Sequence, residues 1–239
     1  MVPDAALMVV SPFVDDSEYN VAESIVLATE HLEEGDVLLI EQQGWVDSIF
    51  LPVEIDPAVF DAITLAVAKG IVVIEPAGNG ASNIDPPAWS GWFNQNERDS
   101  GAIIVGGGAS PLSDYTPRSW YPMGSCYGER IDVQGWFDSI VTTSAADGQP
   151  EYTELFFPGG DGRQAYTASF RGTSGAAPII AAMAAAMNSV GWELHGRPWD
   201  PIELREAMIS LGHPQPPAEE RLIGAQPDLR RMLRTWAIR

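Results

Sequence analysis

The chain is poor in basic residues and in cysteine. Only 13 of its 239 residues are Lys or Arg, against 33 Asp and Glu, and the formal net charge is −20. Such a surface repels phosphate backbones and anionic lipids, which argues against nucleic acid and a membrane as partners. Cys126 is the single cysteine, so an intrachain disulfide and a thiolate metal cluster are both excluded. We expect it to be a structural thiol, because the residues around it read as a turn.

Long apolar runs are also missing. No stretch approaches the roughly 18 apolar residues of a membrane span. The first residues show neither the basic region nor the apolar core of an export signal. The apolar content of 45% is instead distributed over short segments, which is enough for the buried core of one domain.

Short apolar runs alternate with segments of helical periodicity. The runs predict strands at residues 6–10, 37–40, 71–74 and 102–105, and two short strands within 131–143. The periodic segments predict helices at 21–32, 57–68, 174–190 and 201–211, and a short terminal helix within 229–239. This order predicts an α/β fold, a mostly parallel sheet with helices on both faces. The Gly- and Pro-rich segments 76–100 and 111–128 are then long surface loops, the part of such a domain that carries function.

One of the predicted helices begins in a small-residue turn. Residues 172–178 read Gly-Thr-Ser-Gly-Ala-Ala-Pro, with Ser174 at the helix start. Free N–H groups of the first turn favour negative charge there, and the glycines on either side of the Ser allow a substrate backbone to approach. Pro178 is expected within that first turn, where it removes no helical hydrogen bond. Taken alone, the run fits a helix-capping Ser equally well.

A second motif, Glu-Pro-Ala-Gly-Asn-Gly at residues 75–80, follows the predicted strand 71–74. Open parallel sheets bind ligands at the carboxyl ends of their strands, so the side-chain amide of Asn79 is placed to donate to a developing oxyanion. An isolated Asn-Gly after a strand is usually only a turn. The two motifs together favour a nucleophile with an oxyanion hole.

These residues resemble the subtilisin-like (S8) serine peptidases. Residues 172–178 are similar to the family's Gly-Thr-Ser-x-Ala-x-Pro nucleophile motif, and 77–80 to its oxyanion motif. Residues 127–135 resemble a Tyr-Gly-x-x-x-Asp-Val-x-Gly segment of one branch. The resemblance implies the family's three-layer fold, hydrolysis of a peptide or protein substrate and, as the favoured location, secretion.

By that resemblance, Ser174 attacks the scissile carbonyl, while its own N–H and the amide of Asn79 hold the oxyanion. The resemblance also implies a set of substrate-binding residues on the neighbouring edge and loops: Glu41, Gln42, Gln43, Gly44, Ala77, Gly78 and Thr173. Glu41, Gln42 and Gln43 differ from the small, glycine-containing edge usual in the family, so the substrate specificity is not predicted. The chemistry requires no cofactor. Structural calcium is possible, and the acidic residues 15–18 are a candidate loop for it.

The family's chain order is Asp, His and then Ser, and the first two precede the strand that corresponds to residues 6–10. The resemblance therefore implies an incomplete single domain, 1–239, that lacks the segment with the catalytic Asp and His. His31, His195 and His213 are expected to be surface residues. Without a base, a Ser hydroxyl is a poor nucleophile, so we expect negligible peptidase activity from this chain alone.

The sequence leaves the oligomeric state and two alternative functions open. A missing segment would expose a sheet edge, which favours a homo-oligomer or a complementing amino-terminal segment. A pseudopeptidase that binds a peptide or a partner without cleaving it is the main alternative function. An unrelated α/β hydrolase is a weaker one, because a Gly-x-Ser-x-Gly elbow would require Gly at Ala176.

Overall fold

The computed structural model describes residues 2–13, 18–122, 124–144 and 165–236. In chain order the strands are β1 (Val37–Leu39), β2 (Gly44–Val46), β3 (Ile49–Leu51), β4 (Val72–Pro76), β5 (Ile103–Gly108), β6 (Val133–Trp136), β7 (Ile140–Thr143) and β8 (Tyr166–Phe170). The α-helices are α1 (Val21–His31), α2 (Pro57–Ala68), α3 (Thr173–His195), α4 (Pro201–Ser210) and α5 (Leu229–Trp236).

The central sheet has the strand order β1-β4-β5-β6, and every pairing in it is parallel. Two antiparallel hairpins, β2-β3 and β7-β8, lie outside it. Parallel neighbours end at the same edge of a sheet, so the segments that follow β1 and β4 come out side by side. That edge is where the motif with Asn79 was expected.

Each face of the sheet is covered by helices. Along β4 and the residue before it, Val72 and Ile74 belong to one core, built with α3 and α4, whereas Ile71 and Val73 belong to another, built with α1 and α2. The alternation follows from the two-residue period of a strand. The predicted α/β architecture with a mostly parallel sheet between helical layers is confirmed.

Two local devices fix the helices on the sheet. Asp56 caps α2 by accepting the N–H of Ala58 at 2.8 Å, and Pro57 occupies the first helical position. Gly135 of β6 lies directly under α3, where an added Cβ would stand 2.4 Å from the carbonyl oxygen of Ala176. A side chain at residue 135 would therefore push the nucleophile helix away from the sheet.

The predicted helix at 57–68 is confirmed with its bounds, and the other predicted helices and the strands after residue 30 are confirmed within a few residues. The predicted strand at 6–10 is wrong. This segment pairs with no strand among the described residues, and Leu7 and Val9 are 89% and 83% exposed. An apolar run becomes a strand only where a neighbouring strand accepts its hydrogen bonds, and here none does.

Helix α3 extends to His195, five residues beyond its predicted end. It is long and apolar enough to cross a membrane by length and composition, but half of the apolar stretch is buried inside the protein. Its packing against β1, β4, β5 and β6 is that of the core helix of a globular domain.

The packing of α2 leads to a test with an internal control. Both residues of the test belong to α2. Ile63 is fully buried, and Leu65, two positions away, is 57% exposed. We expect Ile63→Ala to lower the free energy of unfolding by about 2–5 kcal/mol, because the deletion leaves a cavity. Leu65→Ala is expected to change it by no more than about 0.5 kcal/mol. Urea unfolding followed by circular dichroism measures both, and equal losses would contradict this placement of α2.

Candidate active site

The nucleophile turn is built by Gly172 and the first residues of α3. Gly172 has φ 119°, a conformation that side-chain-bearing residues rarely adopt, and its carbonyl accepts the N–H groups of Gly175 and Ala176 at 3.0 and 3.3 Å. Ser174 is half-buried at the second helical position. As the second residue of α3, Ser174 lies in the first turn, where a backbone N–H has no acceptor inside the helix.

The expectation for Pro178 needs a correction. Since α3 begins at Thr173, Pro178 lies beyond the first turn, inside the helix. An ordinary residue at 178 would donate its N–H to the carbonyl of Ser174, and a proline has no N–H to donate. The Pro therefore removes one helical hydrogen bond, at the carbonyl of Ser174 itself.

Asn79 is held against this turn by two hydrogen bonds, and a third joins it to Gln43. Its Oδ1 accepts both the N–H of Thr173, at 2.9 Å, and the Thr173 hydroxyl, at 3.0 Å. Its backbone N–H donates to Oε1 of Gln43 at 3.0 Å. Because Oδ1 is occupied by two donors, the amide nitrogen is the atom of this side chain that remains available beside Ser174.

The loop that carries Asn79 turns at a glycine. Gly78 has φ 86°, and an added Cβ would stand 2.7 Å from the carbonyl carbon of Leu51. The N–H of Ala77 donates to the carbonyl of Val105 at 2.9 Å, which extends the ladder from β4 into the loop. Asn79 therefore leaves the sheet at a position defined by backbone contacts.

The segment that follows β1 approaches the same place. Gln43 contacts Asn79, as described above, and Gln42 accepts a short hydrogen bond from the Tyr19 hydroxyl. Burial raises the pKa of Glu41 to about 7, and the Ser174 hydroxyl acts in the opposite direction. As a whole residue Glu41 is exposed, so it remains accessible from solvent.

The structure thus brings together most of the residues expected at the site. Thr173, Asn79 and Gln43 are joined by hydrogen bonds. Gly44 opens β2, and an added Cβ there would meet Ile55 at 2.4 Å; Ala77 and Gly78 form the base of the Asn79 loop. What the sequence did not reveal is the hydrogen bond from the backbone N–H of Asn79 to Oε1 of Gln43.

The three histidines lie away from Ser174. At about 1.5 Å per residue, the length of α3 separates Ser174 from His195 by roughly 30 Å. His195 packs edge-on against Trp199 at 5.5 Å. His31 ends α1 and leads into the amino end of β1, opposite the edge that carries Glu41. His213 pairs through Nε2 with Asp228 at 3.2 Å, beside α5.

A buried charged network lies under the Asn79 loop. Arg130 pairs with Glu54 at 3.2 Å and with Asp132 at 2.8 Å, and all three are buried. Burial, together with the nearby charge of Glu54, raises the pKa of Glu75 in β4 well above its ordinary value, which favours the neutral acid. Neither carboxyl oxygen of Glu75 has a hydrogen-bond partner among the described residues, which also fits the neutral acid.

No group of three or more His, Cys, Asp or Glu suited to a metal ion is found among the described residues. The candidate calcium loop at 15–18 lies outside the described residues for its first three positions, Asp15, Asp16 and Ser17.

Cys126 is completely buried, and its Sγ lies 3.1 Å from the carbonyl oxygen of Phe50. Burial raises the pKa of the thiol, which disfavours the reactive thiolate. We expect iodoacetamide to modify Cys126 at a rate limited by unfolding of the protein. Mass spectrometry of native and urea-unfolded protein tests this, and rapid alkylation of the native protein would contradict a structural role.

Comparison with known proteins identifies the family and the fold. A family model described as the Subtilase family matches residues 47–223, a range that contains Asn79 and Ser174 but begins after Glu41. A sequence search among curated proteins finds no match.

Several solved structures are similar over most of the chain. The patellamide maturation protease PatA is 16% identical, with a TM-score of 0.63 over 95% of this chain and 72% of that one. A cold adapted subtilisin-like serine proteinase is 16% identical, with 0.55 over 87% and 61%. The PatG macrocyclase, in complex with peptide, is 19% identical, with 0.59 over 95% and 57%. At such identities the likeness establishes the subtilisin-like fold, and this chain spans less than two thirds of the last two structures.

Proposed function

The chain belongs to the subtilase family, and we propose that it is a serine endopeptidase domain that cleaves peptide bonds through Ser174. The observation that supports this proposal is the double hydrogen bond from Thr173 to Asn79, which ties the loop that carries a side-chain amide to the residue just before Ser174 at a helix start. A Ser that merely caps a helix has no need of such a neighbour.

The proposed chemistry uses two donors for one oxyanion. Ser174 Oγ attacks the carbonyl carbon of the substrate, and the carbonyl oxygen becomes negatively charged. The N–H of Ser174 and the amide nitrogen of Asn79 then donate to it, supported by the positive end of the α3 dipole. Both donors are fixed before the reaction, so their alignment costs no reorganisation when the charge develops.

The proposed substrate is a peptide in extended conformation. Glu41, Gln42, Gln43 and Gly44 form the edge next to Ser174, and a peptide lying along this edge would place a carbonyl between Ser174 and Asn79. Ala77, Gly78 and Thr173, the other residues expected to bind substrate, are buried. The similarity to the PatG macrocyclase, whose structure contains a peptide, supports this substrate class.

Ser174 also requires a proton acceptor. The family's histidine is not at Ser174 among the described residues, and by family resemblance it would come from a preceding segment or from another chain. We therefore expect peptide turnover by residues 1–239 alone to lie far below that of a subtilase with a complete triad. Secretion stays a proposal that rests on the family alone.

The second candidate function is a pseudopeptidase, a binding module that holds a peptide without cleaving it. The positions of His31, His195 and His213, all away from Ser174, favour it. This alternative predicts saturable peptide binding that survives Ser174→Ala, with no covalent chemistry at residue 174. Binding and covalent labelling, measured on the same protein, separate the two functions.

The test of the peptidase proposal is covalent labelling by a fluorophosphonate probe. We expect an adduct on Ser174, located by mass spectrometry, and none in Ser174→Ala. Asn79→Asp keeps the acceptor for Thr173 but replaces the amide donor, and we expect it to slow labelling by about 100- to 1000-fold, the loss known for a subtilisin. Unfolding curves of both variants control for folding. Absence of labelling in folded protein would favour the pseudopeptidase.

We also propose that β1 is covered in the functional assembly, by a second copy or by a complementing segment. Among the strands of the described residues, β1 pairs with β4 alone and is an edge strand of the central sheet. Next to helix α1 in sequence, residues 7–9 expose a Leu, a Met and a Val by 89%, 46% and 83%. Open strand edges and apolar patches of this kind promote association.

Association of this chain with itself is measured directly by size exclusion with light scattering. We expect a dimer or larger species at high protein concentration, and we expect Val9→Lys to shift it towards the monomer because a charge cannot be buried there. Exposed Val26 on α1, changed to Lys, serves as the matched control. A strict monomer at high concentration would contradict self-association.

A further inference from the structure

We propose that Glu75 is held as a neutral acid beneath the Asn79 loop, residues 77–80, and that loss of its proton at alkaline pH releases this loop from its position. Glu75 is completely buried, so it is a positioning residue that acts through the loop and touches no substrate. The inference goes beyond the proposed peptidase function, because it concerns the structure of the loop and holds whether or not Ser174 is a nucleophile.

The side chain of Glu75 projects from the end of β4 into the interior. Side chains alternate along a strand, so Glu75 lies on the same side as Val73, whose core is built with α1 and α2. No backbone or side-chain group of the described residues donates to either carboxyl oxygen. A buried carboxylate without a donor is very costly, whereas the neutral acid carries no charge to be solvated. The geometry therefore favours the protonated form.

The charged side chains around Glu75 contain more carboxyl groups than cations. They come from the turn after β3, the segments before β5 and β6, and α4: Glu54, Asp99, Arg130, Asp132 and Arg205. The two arginines lie side by side, because both donate to the carbonyl oxygen of Ala102, at 3.2 and 3.3 Å. Two positive charges thus face three carboxylates before Glu75 is counted. An ionised Glu75 would add a fourth negative charge where little water screens it.

The arginine whose charge acts on Glu75 directs its donors elsewhere. Nε of Arg130 lies 3.2 Å from Oε1 of Glu54, and its two terminal nitrogens donate to Asp132 at 2.8 Å and to Ala102 at 3.2 Å. Burial first, and then the negative charge of Glu54, raises the pKa of Glu75 well above its ordinary value. The charge balance and the missing donors agree with this direction.

The segment that carries Glu54 also supports the Asn79 loop. Glu54 follows β3, and the loop lies against the end of that strand, where an added Cβ on Gly78 would stand 2.7 Å from the carbonyl carbon of Leu51. Glu54 and Glu75 thus belong to the two segments that meet at this contact. Repulsion between two ionised carboxylates would push these segments apart, and the loop would lose its support.

The proton on Glu75 links the stability of this region to pH. In the unfolded chain a glutamate has a pKa of about 4.3, and folding raises that of Glu75. As the pH rises between these two values, the unfolded chain gives up the proton while the folded chain retains it, so stability declines. The contribution of the neutral acid is complete below the ordinary pKa and is lost as the pH rises through the raised one.

The first test compares the full-length wild type with Glu75→Gln by urea unfolding from about pH 5 to about pH 9. Glutamine has the shape of the neutral acid and cannot ionise. We expect the folding equilibrium constant of the variant, relative to the wild type, to rise by up to about tenfold per pH unit. Glu30→Gln removes the same charge from an exposed position of α1, and we expect it to follow the wild-type profile. Parallel profiles of wild type and Glu75→Gln would overturn the proposal.

Amide hydrogen exchange tests the effect on the loop. The N–H of Ala77 is bound to Val105 and that of Asn79 to Gln43, so exchange at both amides reports whether the loop is in place. We expect the ratio of exchange rates, wild type over Glu75→Gln, to be near one at about pH 5 and to rise by up to about tenfold per pH unit. Comparison at one pH cancels the pH dependence of the exchange chemistry.

The reference amide is that of Leu32, which donates to the carbonyl of Ala28 at the end of α1. We expect its exchange ratio to stay near one, because the loop opens locally. An equal rise at Leu32 would mean that ionisation of Glu75 unfolds the whole protein, and it would overturn the local role.

Carbon-13 NMR of the glutamate carboxyl carbons gives a readout that does not depend on the folding of Glu75→Gln. We expect one neutral glutamate in the wild type at about pH 7 that persists in Glu41→Gln, since Glu41 is the other glutamate whose pKa is raised. Full ionisation of the remaining glutamates at this pH would overturn the proposal. None of these readouts uses labelling of Ser174, so failure of the proposed peptidase function is distinguished from failure of this inference.

Discussion

The site depends on the contact between Asn79 and Thr173, which joins the loop after β4 to the first turn of α3. One oxygen, Asn79 Oδ1, accepts two hydrogen bonds from Thr173, at 2.9 and 3.0 Å. This contact closes the nucleophile helix onto the sheet edge and orients the amide, because the oxygen cannot be exchanged with the nitrogen without losing both bonds. Two glycines allow α3 to lie at this edge. Gly135 beneath the helix carries no side chain, and Gly172 forms the turn that leads into the helix.

The buried ion pairs beneath the Asn79 loop contribute to stability differently from the hydrogen bonds between Asn79 and Thr173. Removing Arg130, Glu54 and Asp132 from water is expensive, and close pairing recovers that cost only when every partner is present. The raised pKa of Glu75 fits this balance, because one proton lowers the number of negative charges around a single guanidinium. Such a network gives less stability than apolar packing of the same volume, but it tolerates few alternative arrangements of the strands that carry it.

The parts of the fold that local chemistry determines were predictable from the sequence. Helix α2 was predicted with its bounds because Asp56 and Pro57 mark its start. The β2-β3 hairpin was not predicted: its turn uses Asp47 and Ser48 at φ 49° and 65°, a conformation for which Asn-Gly is the usual signal. The predicted strand at 6–10 is wrong for the opposite reason: its local pattern is strong, but no strand of the described residues pairs with it. At the site, motifs identified Ser174 and Asn79, but the hydrogen bond between Thr173 and Asn79, which are 94 residues apart in sequence, has no local signature.

The residues after β1 depart from the family pattern, and their contacts give a physical reason for the departure. Small residues at such an edge leave space for a substrate. From the sequence, the larger side chains here left the substrate specificity unpredicted. Two of them have partners of their own: Gln42 accepts a hydrogen bond from Tyr19, and Gln43 accepts one from Asn79. Two consecutive polar side chains that point to two different segments connect this edge to the oxyanion loop and to the approach to α1. An edge held in this way keeps a fixed position relative to Asn79, the side chain proposed to donate to the oxyanion.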